Sequence, residues 1–131
     1  MWWDRERAIE QVEELVARRE RSAPGFSPTS VKLMIDGVCE NFTASMLEPY
    51  LDGEGRPTDN RGIDFIDSGE VKEIVTALDQ LGFQCHFHAI GDRANAEVIS
   101  IFEQLGRSYP GERRWRIEHA QVVDPADIPR L

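Results

Sequence analysis

Several features that would direct the chain elsewhere are scarce or missing. It has two cysteines, Cys39 and Cys85, too few and too far apart for a disulfide framework. No apolar run approaches the roughly 20 residues that span a bilayer. The amino terminus, Met1-Trp2-Trp3-Asp4-Arg5-Glu6, lacks the basic flank and apolar core of a signal peptide. Basic residues number 15 against 24 acidic ones, and the net charge of -9 opposes binding to nucleic acid or an anionic membrane. There is no internal repeat and no low-complexity tract. The expectation is a cytoplasmic protein with free thiols and no nucleic-acid or membrane partner.

What is present suits one soluble domain: 131 residues, 40% hydrophobic and 30% charged. Residues 4 to 21 read as an amphipathic helix with Ala8, Ile9, Val12, Leu15 and Val16 on one face. A linker with Pro24, Gly25 and Pro28 breaks it. Val31 to Ile35 is a short apolar strand ending at Asp36-Gly37, with Lys32 and Met34 on one face and Asp36 next in that alternation. Lysine inside a buried strand is uncommon. From Val38 to Ile66 the periodicity dissolves, apart from a helical turn near Thr43 to Leu47. A connection of that length is expected to be a lid. Asp67 is a helix N-cap with Glu70 completing a capping box. Val71, Ile74, Val75, Leu78 and Leu81 make the apolar face, and Gly82 ends the helix.

The next stretch organises the chain. Phe83 to His88 reads as a buried strand leading into Ala89-Ile90-Gly91-Asp92, with Gln84, His86 and His88 on one face and Phe83, Cys85 and Phe87 on the other. Periodicity alone leaves two readings open for these histidines, ligands or hydrogen-bonded core residues. Asp92 caps a helix buried through Ala94, Val98, Ile101, Phe102 and Leu105 and stopped by Gly106. After Pro110-Gly111 comes a third strand, Trp115 to Glu118, ending in His119, and Asp124 to Asp127 starts a last helix. Alternating strands and helices predict an α/β fold with a parallel sheet. Ligands bind such folds at the carboxyl ends of the strands. Lys32, His86, His88 and His119 gather there. Two or three imidazoles with oxygen ligands can hold a divalent metal, zinc most commonly.

Three motifs carry a resemblance. Val31-Lys32-Leu33-Met34-Ile35-Asp36-Gly37, His88-Ala89-Ile90-Gly91-Asp92-Arg93-Ala94 and Arg116-Ile117-Glu118-His119-Ala120-Gln121 resemble amidohydrolase family 3, in the family's order. This branch of the metal-dependent amidohydrolases includes N-substituted formamide deformylases. The resemblance runs from about Val31 to the carboxyl terminus. It implies a (β/α)8 TIM barrel, of which this chain would supply about three consecutive βα units, barrel strands 4 to 6. It implies His88 and His119 as metal ligands and Lys32 as a bridging ligand, with no catalytic residue assigned. His86 matches no required position, which points to packing or a supporting role. Capping and turn stabilisation account for Asp92 and Arg93.

The family's first-strand His-x-His pair and eighth-strand aspartate have no counterpart here. The chain is therefore expected to be an internal piece of a longer enzyme, one partial barrel domain over residues 1 to 131. Residues 1 to 30 would be helix and linker, and 31 to 131 βα units with the long loop 38 to 66. The implied function is metal-dependent hydrolysis of a carbon–nitrogen bond in an amide or formamide, with the isolated chain inactive. The rival is a non-catalytic remnant with structural histidines that serves association only. Both outer strands are expected to have unpaired edges, which favours a homo-oligomer or domain swap.

Overall fold

A computed structural model describes all residues from Met1 to Leu131. Three parallel strands form one sheet in the order β1-β2-β3: β1 is Ser30–Met34, β2 Gln84–Ala89 and β3 Arg116–His119. The helices are α1 (Val12–Arg19), α2 (Ser68–Gln80) and α3 (Asp92–Ser108). The α/β class with three parallel strands is as the sequence predicts. No helix is long and apolar enough to cross a membrane.

The core lies on one face of the sheet. Val31 and Leu33 of β1 and Cys85 and Phe87 of β2 are fully buried. They join Val71, Ile74, Val75 and Leu78 of α2 and Ala94, Val98, Ile101 and Leu105 of α3 in one cluster. Period 2 in the strands thus meets period 3.6 in the helices. Each large aliphatic side chain buried this way contributes about 1.5–3 kcal/mol relative to exposure. The opposite face carries Lys32, His86, His88 and Glu118, and so holds the polar residues.

Local chemistry explains the helix ends, and in places it corrects the sequence reading. The Asp67 carboxylate accepts from the Gly69 amide as an N-cap, although Glu70 makes no reciprocal capping bond. Gly82 follows α2 at φ 75, a left-handed exit that glycine allows without strain. The amino-terminal helix is shorter than predicted. Ala8 has φ 43, so residues 8 to 11 form a 3-10 turn before α1. The Gln11 amide folds back over that turn onto the Asp4 and Ala8 carbonyls. Gly91, not Asp92, is the N-cap of α3, and the Asp92 carboxylate accepts from the Leu47 and Arg93 amides. α3 runs through Gly106 and ends before Pro110, which disfavours helical backbone at Tyr109. The helical turn of the long loop falls at Cys39–Asn41 rather than 43 to 47, closed by Phe42 at φ 60. After Asp124 there is only a 3-10 turn, Ile128–Arg130.

Two further differences bear on the site. The outer edge of β1 is covered. The Met1 ammonium donates to the Ser30 carbonyl at 2.6 Å, the Lys32 amide to Met1 at 2.7 Å, and the Trp3 amide to Lys32 at 2.8 Å. Only the β3 edge is open. The loop 38 to 66 is not a free lid, since Ala44 and Ser45 within it are fully buried.

Candidate metal centre

His88 lies near the carboxyl end of β2, buried beside the end of β1. Its Nε2 is 3.1 Å from the Gly37 carbonyl oxygen and 3.7 Å from Asp36 Oδ1. Both neighbours are acceptors, so Nε2 carries the hydrogen and donates to Gly37. In the neutral ring the lone pair is then on Nδ1, and a metal would bind at that nitrogen.

His119 ends β3, the adjacent strand. The two rings meet edge to face with centroids 4.8 Å apart. His119 has φ 81 and Ala120 φ 42, a backbone region that a residue with a Cβ occupies only under strain. The Ala120 amide bonds to Ala89 at 3.1 Å and the Val122 amide to Ile90 at 2.9 Å, which holds the turn against β2. The strained turn and these bonds place the second imidazole beside the first.

Lys32 and His86 sit lower on the same face. Lys32 is the register partner of His86, whereas Met34 is that of His88. Lys32 therefore lies two residues toward the amino end of the strand from the level of the histidine pair. His86 Nδ1 is 4.0 Å from Glu118 Oε1, and its buried Nε2 has no hydrogen-bond partner. Burial lowers the His86 pKa, the charges of Arg116 and Lys32 add to this, and Glu118 opposes it.

Sequence reasoning placed Asp36 in the alternation but gave it no role. Its carboxylate is fully buried. Oδ1 accepts from the Ile90 amide at 2.9 Å, and Oδ2 from the Ser45 and Gly91 amides at 2.9 and 2.8 Å. With its oxygens engaged this way, Asp36 is a clamp and not a free ligand. An aspartate following a buried strand and preceding a glycine was the available signal. Around it the segment Thr43–Ser45 is pressed between Gly37, Gly62 and Gly91, where any added Cβ would collide with Thr43, Ala44 or Ser45. Arg93 closes the assembly by donating to Ser45 Oγ at 2.7 Å and to Asp64 at 2.6 Å.

The candidate donor set is thus two neighbouring imidazoles. No group of three or more His, Cys, Asp or Glu side chains is arranged to hold a metal. Two imidazoles suit a divalent metal by donor type but fall short of the three protein ligands that a catalytic zinc site normally has.

Comparison with known proteins identifies the family. The amidohydrolase family model matches residues 3–131, so the match extends well before Val31. A solved structure of an uncharacterized metal-dependent hydrolase from Pyrococcus furiosus is similar at TM-score 0.74 and 28% identity, over 92% of this chain and 24% of that one. Another, from Pyrococcus horikoshii OT3, is similar at TM-score 0.64 and 31% identity, over 76% and 19%. Among curated relatives, Protein LONG AFTER FAR-RED 3 of Arabidopsis thaliana is 34% identical over 77% of this chain and 17% of its own length. Exoenzymes regulatory protein AepA of Pectobacterium carotovorum subsp. carotovorum is 29% identical over 99% and 27%. The chain spans about a quarter or less of the length of these proteins.

Proposed function

The chain belongs to the amidohydrolase family, and on that premise we propose that it is a segment of a metal-dependent hydrolase of carbon–nitrogen bonds in amides or formamides. The observation that carries this reading is the His88–His119 pair, 4.8 Å apart at the carboxyl ends of adjacent parallel strands. The three strands are read as an arc of a (β/α)8 barrel, and this rim is where such barrels carry their chemistry.

In this reading His88 and His119 hold a divalent metal, zinc by preference for imidazole ligands. Lys32, whose register places it at the level of His86, would serve as a bridging ligand only in a carboxylated form, since an ammonium has no lone pair to give. The metal would polarise the substrate carbonyl and bring the pKa of a bound water toward neutrality. The chain's own part is to orient the ligands. Gly37 fixes the His88 ring through Nε2–H, and the strained turn at His119 presents the second imidazole.

The 131-residue chain alone is expected to be inactive. It offers too few ligands and lacks the eighth-strand aspartate that the family resemblance implies as proton acceptor, and general-base help typically supplies about 10²–10⁴ in rate. Zinc titration by calorimetry, beside an assay on N-formyl and N-acyl amines, tests this. Weak zinc binding without turnover is expected, and His88→Ala or His119→Ala should lower the affinity by about tenfold or more. Tight zinc binding with metal-dependent turnover in this chain would overturn the inactivity.

The shortage of ligands also favours a second reading, a non-catalytic remnant with structural histidines. Zinc affinity indifferent to both alanine substitutions would select it. In either case the unpaired β3 edge invites a second copy or a strand exchange. Light scattering should then show a species larger than a monomer.

A further inference from the structure

We propose that Asp36 is a positioning residue for His88, acting through the backbone without contacting a metal. The inference rests on the metal reading only for its consequence, since the positioning is complete in the chain itself. The Asp36 carboxylate collects amides from two distant parts of the chain, Ser45 in the long loop and Ile90-Gly91 just after β2. Hydrogen bonds to a buried carboxylate are charge-assisted and short, so they fix distances as well as connectivity. They join the end of β1 to the exit of β2.

The residue after Asp36 supplies the acceptor for His88. The Gly37 amide donates to the Thr43 carbonyl at 3.1 Å and the Val38 amide to Thr43 Oγ1 at 3.0 Å. The Ile35 amide donates to the His88 carbonyl at 3.0 Å. The Gly37 carbonyl is thereby held on both sides, 3.1 Å from His88 Nε2. Asp36 Oδ1, 3.7 Å from the same nitrogen, adds a second negative oxygen that favours hydrogen there. Freed from the clamp, the two strand ends could shift relative to each other, and Nε2 would lose its single fixed acceptor. The long loop is then a strap that sets a ligand, which accounts for its burial at Ala44 and Ser45.

Long-range 1H–15N spectra of the 131-residue chain report which His88 nitrogen is protonated, with no metal present. Wild type is expected in one form, protonated at Nε2. In Asp36→Asn an amide donor replaces an acceptor opposite backbone N–H groups. The His88 nitrogens should then shift toward a mixture of tautomers, and exchange of the Ile90 and Gly91 amides should rise about tenfold or more. A merely structural role would lower stability and leave the tautomer of the folded chain unchanged. Should Asp36→Asn fail to fold, Thr43→Val loosens Gly37 from the loop side and should move His88 in the same direction. Wild-type His88 protonated at Nδ1 would overturn the proposal. So would unchanged His88 nitrogens in whichever variant folds. Absence of zinc binding by the wild-type chain, with its His88 protonated at Nε2, would instead refute the metal reading and leave the positioning role standing.

Discussion

β1 and β3 flank the same central strand and each leads to a residue at the carboxyl rim of the sheet, Asp36 after β1 and His119 at the end of β3. Around β1 the edge is closed by Met1 to Trp3, and Val31, Leu33 and Ile35 are fully buried. β3 has an open edge and exposes Arg116 and His119. The β1 side holds its residue by a network in which the buried carboxylate, three backbone amides and closely packed glycines fix one another. The β3 side holds His119 by a short ladder and a strained turn. The proposed ligand pair is thus built rigidly at His88, which the β1 side holds, and depends at His119 on whatever covers the free edge.

The widest separation between sealed and open regions should appear in thiol chemistry. Cys85 is buried under β1 and the helices, and burial raises its pKa to about 12 from an ordinary 9.0. That leaves about a thousandfold less thiolate than in a free thiol at the same pH. Cys39, at the start of the loop, is also raised by burial, but is only half-buried. Alkylation followed by mass spectrometry should label Cys39 in the folded chain and Cys85 only on unfolding. Equal rates would show that the β1–β2 core opens freely.

Truncation should separate the strands next. Leu33→Ala is expected to cost about 3 kcal/mol, from lost transfer energy and the cavity left behind, whereas half-buried Ile117→Ala should cost about 1 kcal/mol. Urea midpoints at a common m-value measure both. A smaller cost at Leu33 than at Ile117 would break the comparison.

Gly91→Ala probes the strap from the other direction. The new Cβ would meet the Ser45 backbone, which cannot swing away as a side chain could. The expected loss is about 2–3 kcal/mol, as for overpacking elsewhere in cores. Gly53→Ala, where nothing lies near the added Cβ, is the control and should be near neutral.

The smallest effect is expected at the open end. His119 has φ 81, so His119→Gly should relieve backbone strain and raise stability by about 0.5–1 kcal/mol while removing a proposed ligand. A loss of stability would show that the ring contact with His88 outweighs the strain.

Much of the site was legible because strand alternation is rigid. Once Val31 to Ile35 and Phe83 to His88 are read as strands, the face shared by Lys32, His86 and His88 follows from period 2 alone. His119 was found as the residue that ends the third predicted strand, and its motif then pointed to the same role. Asp36 and the Thr43–Ser45 segment were missed as structural devices. A carboxylate that binds backbone amides across more than fifty residues leaves no mark in local propensity, and neither does a loop whose anchors are glycines elsewhere. The cover on β1 was missed for the same reason, because three residues at an amino terminus show no period.

The sequence by itself determined the α/β class, the parallel order and the side of the sheet on which the chemistry sits. Those properties depend on hydrophobic periodicity and chain order, which are local and countable. Only the tertiary structure decided which nitrogen of His88 is free, that His88 and His119 meet while Lys32 stays at the level of His86, and that the long loop is a strap. Those are distances between residues far apart in the chain, fixed by register, by a buried carboxylate and by the close approach of backbone to glycine.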